Sequence, residues 1–368
     1  MALQSSGAIS LDDIHVEAGG STGTTCSLND TDIRGLTAGG GNTINSTSDS
    51  EIDIGDFYEA TSIVYMDASG GTISTSGNYR FHKFTSSGTF TVNTVASGGA
   101  STTVDYLIVA GGGAGGCTYG NGAGGGGGGA GGYRTGTVTV SSTGGNSITV
   151  GAGYPTLVNN SNISMYGQNY PVRLNMATSG ERGGNSSALG VTSTGGGIGG
   201  GGRYKSDSTT NNFNNVHYLA QSGGSGGGGF GINTSSYWGG ASGISGQGNS
   251  GGTGKNDTGA GGGGIGSAGG SPPTGDTVGG NGGTGSSSGN ASDGTSRGAG
   301  GGGGARNYNG GTGYSGAGSG GSNGNNGNAA SANRGGGGGG GGSIPNVART
   351  GGAGGSGIVI LRYQYQGS

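Results

Sequence analysis

Alternation of apolar and polar positions, with many β-branched and aromatic residues, begins near residue 61 and predicts β-strands. The predicted strands are 63–66, 78–84, 88–95, 104–110, 135–141, 147–150 and 357–365. The strand D-Y-L-I-V-A at residues 105–110 carries an unbroken series of apolar side chains, which is typical of a strand that is buried on both faces. A turn at Ser86, Ser87 and Gly88 predicts a hairpin within residues 84–92.

Long glycine runs start directly after strand 104–110 and end directly before strand 357–365. Gly/Ser tracts also occur as flexible linkers, but a structureless loop of this length inside a closed sheet is uncommon. Because glycine has no Cβ, extended threefold helices of the polyglycine II type can pack side by side and bond through their backbones. The runs are 111–116, 122–132, 195–202, 223–231, 259–270, 298–304, 335–342 and 351–357.

Together these patterns predict a mostly β and irregular fold. It consists of a small antiparallel β cap or sandwich, a packed lattice of polyglycine II helices, and an N-terminal attachment segment of short turns. The expected regions are an acidic segment at 1–60, a β region at 61–110 to which 133–151 and 357–365 return, and a glycine-rich domain at 111–357 with inserted loops.

Composition supports an ordered glycine scaffold and excludes collagen. Glycine accounts for 107 of 368 residues, but only 5 prolines are present and the glycines occur in runs, not at every third position. Hydrophobic residues make up only 27%, so ordinary apolar cores cannot order the whole chain. Charged residues make up 8%, unlike the charge-rich composition of typical disordered regions.

The first 60 residues differ from the rest in charge and in pattern. They hold ten acidic residues and one basic residue, Arg34, for a net charge of −9, whereas the remainder carries +6. Residues 10–16 (S-L-D-D-I-H-V) align with 27–33 (S-L-N-D-T-D-I), and 54–58 is a third, eroded copy. Serine followed by an acid three residues later predicts capped turns that order by packing against copies or a partner.

Cys26 and Cys117 fall in different regions, so two thiols are expected and not a disulfide. The N-terminus (M-A-L-Q-S-S-G-A-I-S) lacks a basic start and an apolar core, and no stretch of 18 apolar residues occurs. Neither a secretory signal nor a membrane span is therefore expected.

Several stretches together resemble the glycine-rich domain of phage tail fibres and related surface proteins over residues 77–365. They are F-T-S-S-G-T-F-T-V, D-Y-L-I-V-A-G-G-G-A-G-G, G-G-Y-R-T-G-T-V-T-V and G-G-S-G-I-V-I-L-R-Y. The opening M-A-L-Q-S-S-G-A-I-S-L-D-D-I-H-V resembles the N-terminus of marine bacteriophage virion and tail fibre proteins. The resemblance implies a virion protein that is made in the host cytoplasm, acts outside the cell, and is arranged as trimers in much of that family.

No enzyme, cofactor or metal site is expected. The stretch 249–256 (N-S-G-G-T-G-K-N) departs from a phosphate-binding loop at its first and last positions, Asn249 and Asn256. His15, His82 and His217 are dispersed, and neither cysteine has a neighbour at ligand spacing. Nucleic acid is not an expected partner.

Recognition is the remaining chemistry, because Tyr, Trp, Asn, Ser and Arg are the residues of adaptable binding surfaces. The inserts 204–219, 233–238 and 305–314 lie between glycine runs, and antiparallel rods are expected to gather them at one end. Packing between loops, or plugging of a lattice edge by Trp238, is the alternative role of these residues. The candidate receptor-binding residues are Tyr204, Phe213, His217, Tyr218, Tyr237, Trp238, Tyr308 and Tyr314.

The sequence therefore favours a phage tail fibre or tip adhesin. Residues 1–60 are expected to join other phage tail proteins, and the inserts to bind a bacterial surface polysaccharide or an outer-membrane protein. The alternative is a purely structural, self-associating glycine-rich fibre or coat protein whose inserts only cover the lattice.

Overall fold

The computed structural model describes residues 3–39, 41–120, 123–156, 163–165, 168–170, 182–204, 216–232, 237–273, 278–344 and 347–366. Its regular structure is mostly β, in small antiparallel sheets separated by long irregular stretches, so the predicted fold class is confirmed. The helices are α1 (Leu11–Glu17), α2 (Thr31–Arg34) and a 3-10 helix (Ile54–Phe57).

The strands are β1 (Asp67–Ser69), β2 (Thr72–Ser76), β3 (Tyr79–Phe84), β4 (Gly88–Thr94), β5 (Thr103–Val109), β6 (Thr118–Gly120), β7 (Ala123–Gly124), β8 (Tyr133–Thr139), β9 (Gly144–Ile148), β10 (Ile163–Met165), β11 (Gln168–Tyr170), β12 (Ser186–Ala188), β13 (Val191–Ser193), β14 (Gly201–Tyr204), β15 (Val216–Tyr218), β16 (Gly231–Ile232), β17 (Ala348–Arg349) and β18 (Ile358–Gln364).

The N-terminal segment consists of short helical turns, as its repeat predicts, and two of the three are capped by side chains. Ser10 and Asp13 form a capping box at the start of α1, and Asp53 and Asp56 form one at the 3-10 helix. In the second copy, α2 starts after Asp30 and receives no side-chain cap.

The three turns share one small apolar core. Ile14, Ile33 and Phe57, one from each copy, are fully buried in the same cluster. A six- or seven-residue turn buries too little surface to be stable alone, so mutual packing of the copies is what orders this segment.

Two antiparallel sheets form the β cap. One has the strand order β2-β3-β18-β5-β8, and the other has the order β1-β4-β9. Side chains between them, including Phe90, Ile108 and Leu361, form the largest core cluster. Leu107 and Ile360, on the other face of the larger sheet, pack with Tyr133 and Ala291. The central strands β5 and β18 are thus buried on both faces, which explains their continuously apolar sequences.

The predicted hairpin at residues 84–92 is wrong. β3 pairs with β2 and β18, whereas β4 pairs with β1 and β9, so Ser86 and Ser87 lie where the chain passes from one sheet to the other. The first strand also starts at Asp67, after the predicted 63–66, and β2 was not predicted.

Backbone hydrogen bonds show the lattice most clearly at the central run, 123–132. Gly125, Gly128 and Gly131 all donate to the run 335–342, with N···O distances of 2.8–2.9 Å. The N–H groups in between donate in turn to the runs 194–202 and 259–264. A partner that recurs at every third residue is the geometry of polyglycine II, with its three residues per turn.

Six runs surround the central one. Its carbonyl groups accept hydrogen bonds from the runs 111–116, 224–230 and 298–304. Around the central run, these three alternate with the runs to which its N–H groups donate, 194–202, 259–264 and 335–342. Each of the six also bonds to the next, so they form a closed hexagonal ring. The outer runs are 151–154, 182–184, 219–222, 238–243, 248–254, 267–270, 279–285, 309–313, 317–322, 325–331 and 350–357.

An ion-pair cluster joins the cap to the lattice. Arg297, which starts the run 298–304, donates to both carboxylate oxygens of Asp293 at 2.6 and 2.9 Å, and Lys83 Nζ of β3 lies 2.7 Å from the same carboxylate. Hydrogen bonding from Arg297 holds the pKa of Asp293 well below its usual range, although partial burial opposes this shift.

Close backbone approach leaves no room for side chains at most lattice positions. A Cβ added to Gly338 lies 2.0 Å from the carbonyl oxygen of Gly352, a backbone atom that cannot rotate away. Gly239, by contrast, has nothing within 4 Å of its added Cβ. Glycine at position 338 is therefore a packing requirement.

We expect Gly338→Val to lower the free energy of unfolding by about 3 kcal/mol or more, because overpacking at a backbone contact has no rotamer that relieves it. Gly338→Ala should show the same direction. The matched control, Gly239→Ala, should change stability by less than about 0.5 kcal/mol. Equal midpoints of chemical denaturation for the two alanine variants would contradict a close-packed lattice.

Candidate binding surface at the distal face

Chain direction divides the turns between runs into two sets. The run 111–116 leaves the cap after β5, and the run 123–132 returns to it at β8, so residues 118–120 and 123 lie at the end away from the cap. We call this end the distal face. Its other described parts, identified by their register against these two runs, are β14, β15, β17, Tyr237 and Trp238, the turn 255–258, residues 305–309, and the turn at Asn323 and Gly324.

At the distal face several runs flatten into short β-ladders. β15, β14, β6 and β17 form one four-stranded sheet in that order, and β16 pairs with β7. β14 and β6 are parallel, with Gly202 opposite Thr118, whereas the other pairs are antiparallel. These ladders fix the backbone from which the distal side chains project.

Tyr237 and Trp238 have different environments. The Tyr237 side chain is 67% exposed, more than any other large apolar or aromatic residue among those the structure describes. Trp238 stacks on the buried ring of Phe230, with ring centroids 4.8 Å apart and an interplanar angle of 24°. Tyr237 is thus available to a ligand, whereas Trp238 plugs the lattice edge.

Tyr308 and Tyr314 lie at opposite ends of the lattice. Tyr308, 40% exposed, is in the distal turn 305–309, and its carbonyl accepts from Asn323 N–H. The run 309–313 then crosses the lattice toward the cap, so Tyr314, 39% exposed, lies beside Ser315 and Ser296 at the cap end. The expectation that all the inserts gather at one end therefore fails for Tyr314.

The insert 204–219 also starts and ends at the distal face. Tyr204 ends β14 and His217 lies in β15, opposite Gly202. Tyr218 is partly buried, and burial raises the pKa of its hydroxyl, with a smaller contribution from nearby Cys117. Phe213 lies outside the described residues.

A charged pair, which sequence reasoning missed, links two distal turns. Arg306 Nη1 lies 3.2 Å from Asp257 Oδ2, and the backbone N–H of Arg306 donates to the Asp257 carbonyl at 3.1 Å. Both side chains are more than four-fifths buried. Arg349 similarly donates to the carbonyl of Gly324. Their place in the sequence could have indicated this role, because each of these charged residues lies next to uncharged, glycine-rich stretches.

Over residues 239–349, charge is confined to the two ends of the part of the lattice that the structure describes. The runs between residues 239 and 348 contain no charged side chain, and the intervening charged residues with a described position lie either at the distal face or beside the cap. Lys255, Asp257, Arg306 and Arg349 are distal, whereas Asp293, Arg297 and Arg334 are at the cap end.

Cys26 and Cys117 are both thiols, as expected, and burial raises the pKa of each. Within the described ranges, no three His, Cys, Asp or Glu side chains are grouped as metal ligands. No helix of that same part of the chain is long and apolar enough to cross a bilayer.

A family model described as a glycine-rich domain matches residues 84–364, well over half of the chain. The chain belongs to the glycine-rich domain family. The match runs from the end of β3 to the end of β18 and so covers the lattice with most of the cap. The resemblance to a glycine-rich domain is thus confirmed. A search of curated proteins finds no match.

We expect Trp238→Ala in this glycine-rich domain to cost about 2 kcal/mol of unfolding free energy, because it removes the stacking on Phe230. Tyr237→Ala should change stability by less than about 0.5 kcal/mol, since its ring is mostly in solvent. Denaturant titrations of both variants measure the difference. Equal losses would show that Tyr237 is also part of the scaffold.

Proposed function

We propose that this chain is a tail fibre or tip adhesin of a bacteriophage, which binds a bacterial surface receptor through its distal face. It acts in this proposal as a binding protein and not as an enzyme. The observation that carries the proposal is the polarity of the molecule. The N-terminal segment and the distal face lie at opposite ends of the β cap and lattice.

Contacts of the N-terminal segment support this polarity. Val64 pairs with Ser97, which lies in the connection between β4 and β5. This connection precedes β5, and the lattice follows the opposite end of that strand. The segment therefore joins the side of the cap remote from the glycine runs. A protein that is attached at this side presents its distal turns outward.

The surface of the N-terminal segment is suited to a basic partner. Arg34, its one basic residue, is only 5% exposed, and its guanidinium donates to Asn29 Oδ1, the Asn45 carbonyl and the Ser50 carbonyl. The carboxylates Asp32, Glu51 and Glu59 remain exposed. Electrostatic complementarity would then guide docking onto a basic surface of another tail protein.

The distal face supplies the features that recognition needs. Tyrosine offers large contact area at low entropic cost, and a few such anchors commonly dominate binding energy. Tyr237 and Tyr308 are both exposed. Tyr237 directly precedes Trp238, whose backbone exchanges hydrogen bonds with Gly254, and the Tyr308 carbonyl accepts a hydrogen bond from Asn323 N–H. The ligand in this proposal is a surface polysaccharide or an outer-membrane protein, in a virion that meets its receptor outside the cell.

We expect Tyr237→Ala and Tyr308→Ala each to weaken adsorption to a susceptible bacterial strain by about thirtyfold, because loss of an anchor commonly costs about 2 kcal/mol. Binding of fluorescently labelled protein to a panel of strains identifies the strain and measures affinity. Tyr314→Ala is the matched control, since Tyr314 has the same exposure at the opposite end.

Unchanged adsorption by both distal variants would place recognition on other distal turns. Labelled protein that binds no strain yet forms filaments would favour the structural alternative, a self-associating fibre or coat. Loss of adsorption in all three variants alike would indicate a general defect and not a distal site.

Deletion of residues 1–60 should leave a folded remainder that binds cells but does not join virions, because those residues form a core separate from the β cap. Immunoblots of purified particles measure incorporation, and thermal unfolding of the truncated protein is the control for folding. Incorporation at the normal level would contradict an attachment role.

A further inference from the structure

The rim of the lattice poses a problem that the interior does not. In the central run, successive N–H groups donate to three different neighbouring runs in turn. An outer run lacks a neighbour on its solvent side, so some of its N–H groups have no backbone carbonyl of another run to donate to. An uncovered row of backbone donors and acceptors is a template on which another chain can add, as at an exposed sheet edge.

The corner run 309–313 shows how this chain treats such groups. Gly311 donates to the Gly303 carbonyl at 2.8 Å, as an interior residue would. Three of its other N–H groups donate to side chains of adjacent outer runs: Gly310 to Ser322 Oγ at 2.9 Å, Thr312 to Asn281 Oδ1 at 2.9 Å, and Gly313 to Ser319 Oγ at 3.2 Å.

The same arrangement recurs around the rim. Ser267 Oγ accepts from Thr284 N–H at 3.0 Å, Ser271 Oγ from Thr253 N–H at 2.9 Å, and Asn326 Oδ1 from Thr350 N–H at 3.1 Å. In each case a short polar side chain on one outer run covers the backbone donor of another. The six acceptors lie on four outer segments, 267–271, 279–285, 317–322 and 325–331, so the arrangement is a recurring feature of this lattice.

The sequence of the outer runs fits this role. Asn281 and Thr284 are both exposed and three residues apart, so in a threefold helix they lie in one outward column, while Gly282 and Gly283 face inward and are buried. Serine and asparagine carry an acceptor oxygen close to the backbone, which lets them bond to a nearby N–H. Longer polar side chains would reach past the rim.

We infer that these serine and asparagine side chains close the lattice rim and thereby prevent a second copy of the chain from adding its glycine runs laterally. The flanks are then kept inert, and contacts with other molecules are directed to the two ends. This inference rests on rim geometry alone and holds whether or not the distal face binds a receptor.

Removal of the caps around run 309–313 tests it. Asn281→Ala, Ser319→Ala and Ser322→Ala combined should give a protein that self-associates beyond the state of the unmodified chain, with a mass that rises with concentration in sedimentation experiments. The double variant Ser319→Thr and Ser322→Thr, which keeps both acceptor oxygens, should sediment as the unmodified chain does. Thr312→Ala, an outward position that supplies none of these caps, is a second control.

Amide hydrogen exchange gives an independent readout. The Thr312 amide should be protected in the unmodified protein despite its exposed position, and Asn281→Ala should accelerate its exchange by about tenfold or more without affecting the central run. A folded triple variant that never exceeds the mass of the unmodified chain would overturn the inference. If the triple variant does not fold, an unchanged Thr312 exchange rate in Asn281→Ala would overturn it.

Discussion

The backbone hydrogen bond between adjacent glycine runs is the interaction on which the rest of this structure depends. A typical net contribution is about 1 kcal/mol, similar to the cost of ordering one residue, so a single pair of runs gains little. The central run bonds to six neighbours along its length, and the cap fixes the ends of its flanking runs. The lattice is therefore stabilised by the number of its members and by their anchoring, whereas apolar cores stabilise the β cap and the N-terminal segment.

The same interaction explains which parts of the fold could be predicted from the sequence. Apolar strands such as β5 and β18 carry a strong side-chain pattern, and their double burial follows from it. Because those strands bracket the glycine runs, the sequence also indicated that the runs are ordered and pack with one another. The capping box at Ser10 was also readable, because capping depends on residues three positions apart. The same pattern at Ser27 did not produce a side-chain cap on α2, and the capping box at Asp53 and Asp56 was not predicted.

What could not be predicted depends on register across many runs. Glycine runs carry no side-chain pattern that indicates which runs are neighbours or in which direction each run crosses the lattice. The sequence therefore could not show that Tyr308 and Tyr314 lie at opposite ends of the lattice. The stack of Trp238 on Phe230 and the pair of Asp257 with Arg306 likewise follow from that register. The chain does turn at Ser86, as the sequence indicates. A turn sequence does not show whether the two flanking strands pair with each other or join different sheets.

The distal turns of this lattice contribute little to the main-chain hydrogen bonds that stabilise it. Because the runs bond through main-chain atoms, the identity and length of most connecting turns enter the scaffold's stability only weakly, and loop closure adds little cost as a turn lengthens. Turns such as 305–309 can therefore diverge one at a time while the rods beneath them stay in register. A chain built this way can acquire a new surface without having to find a new fold.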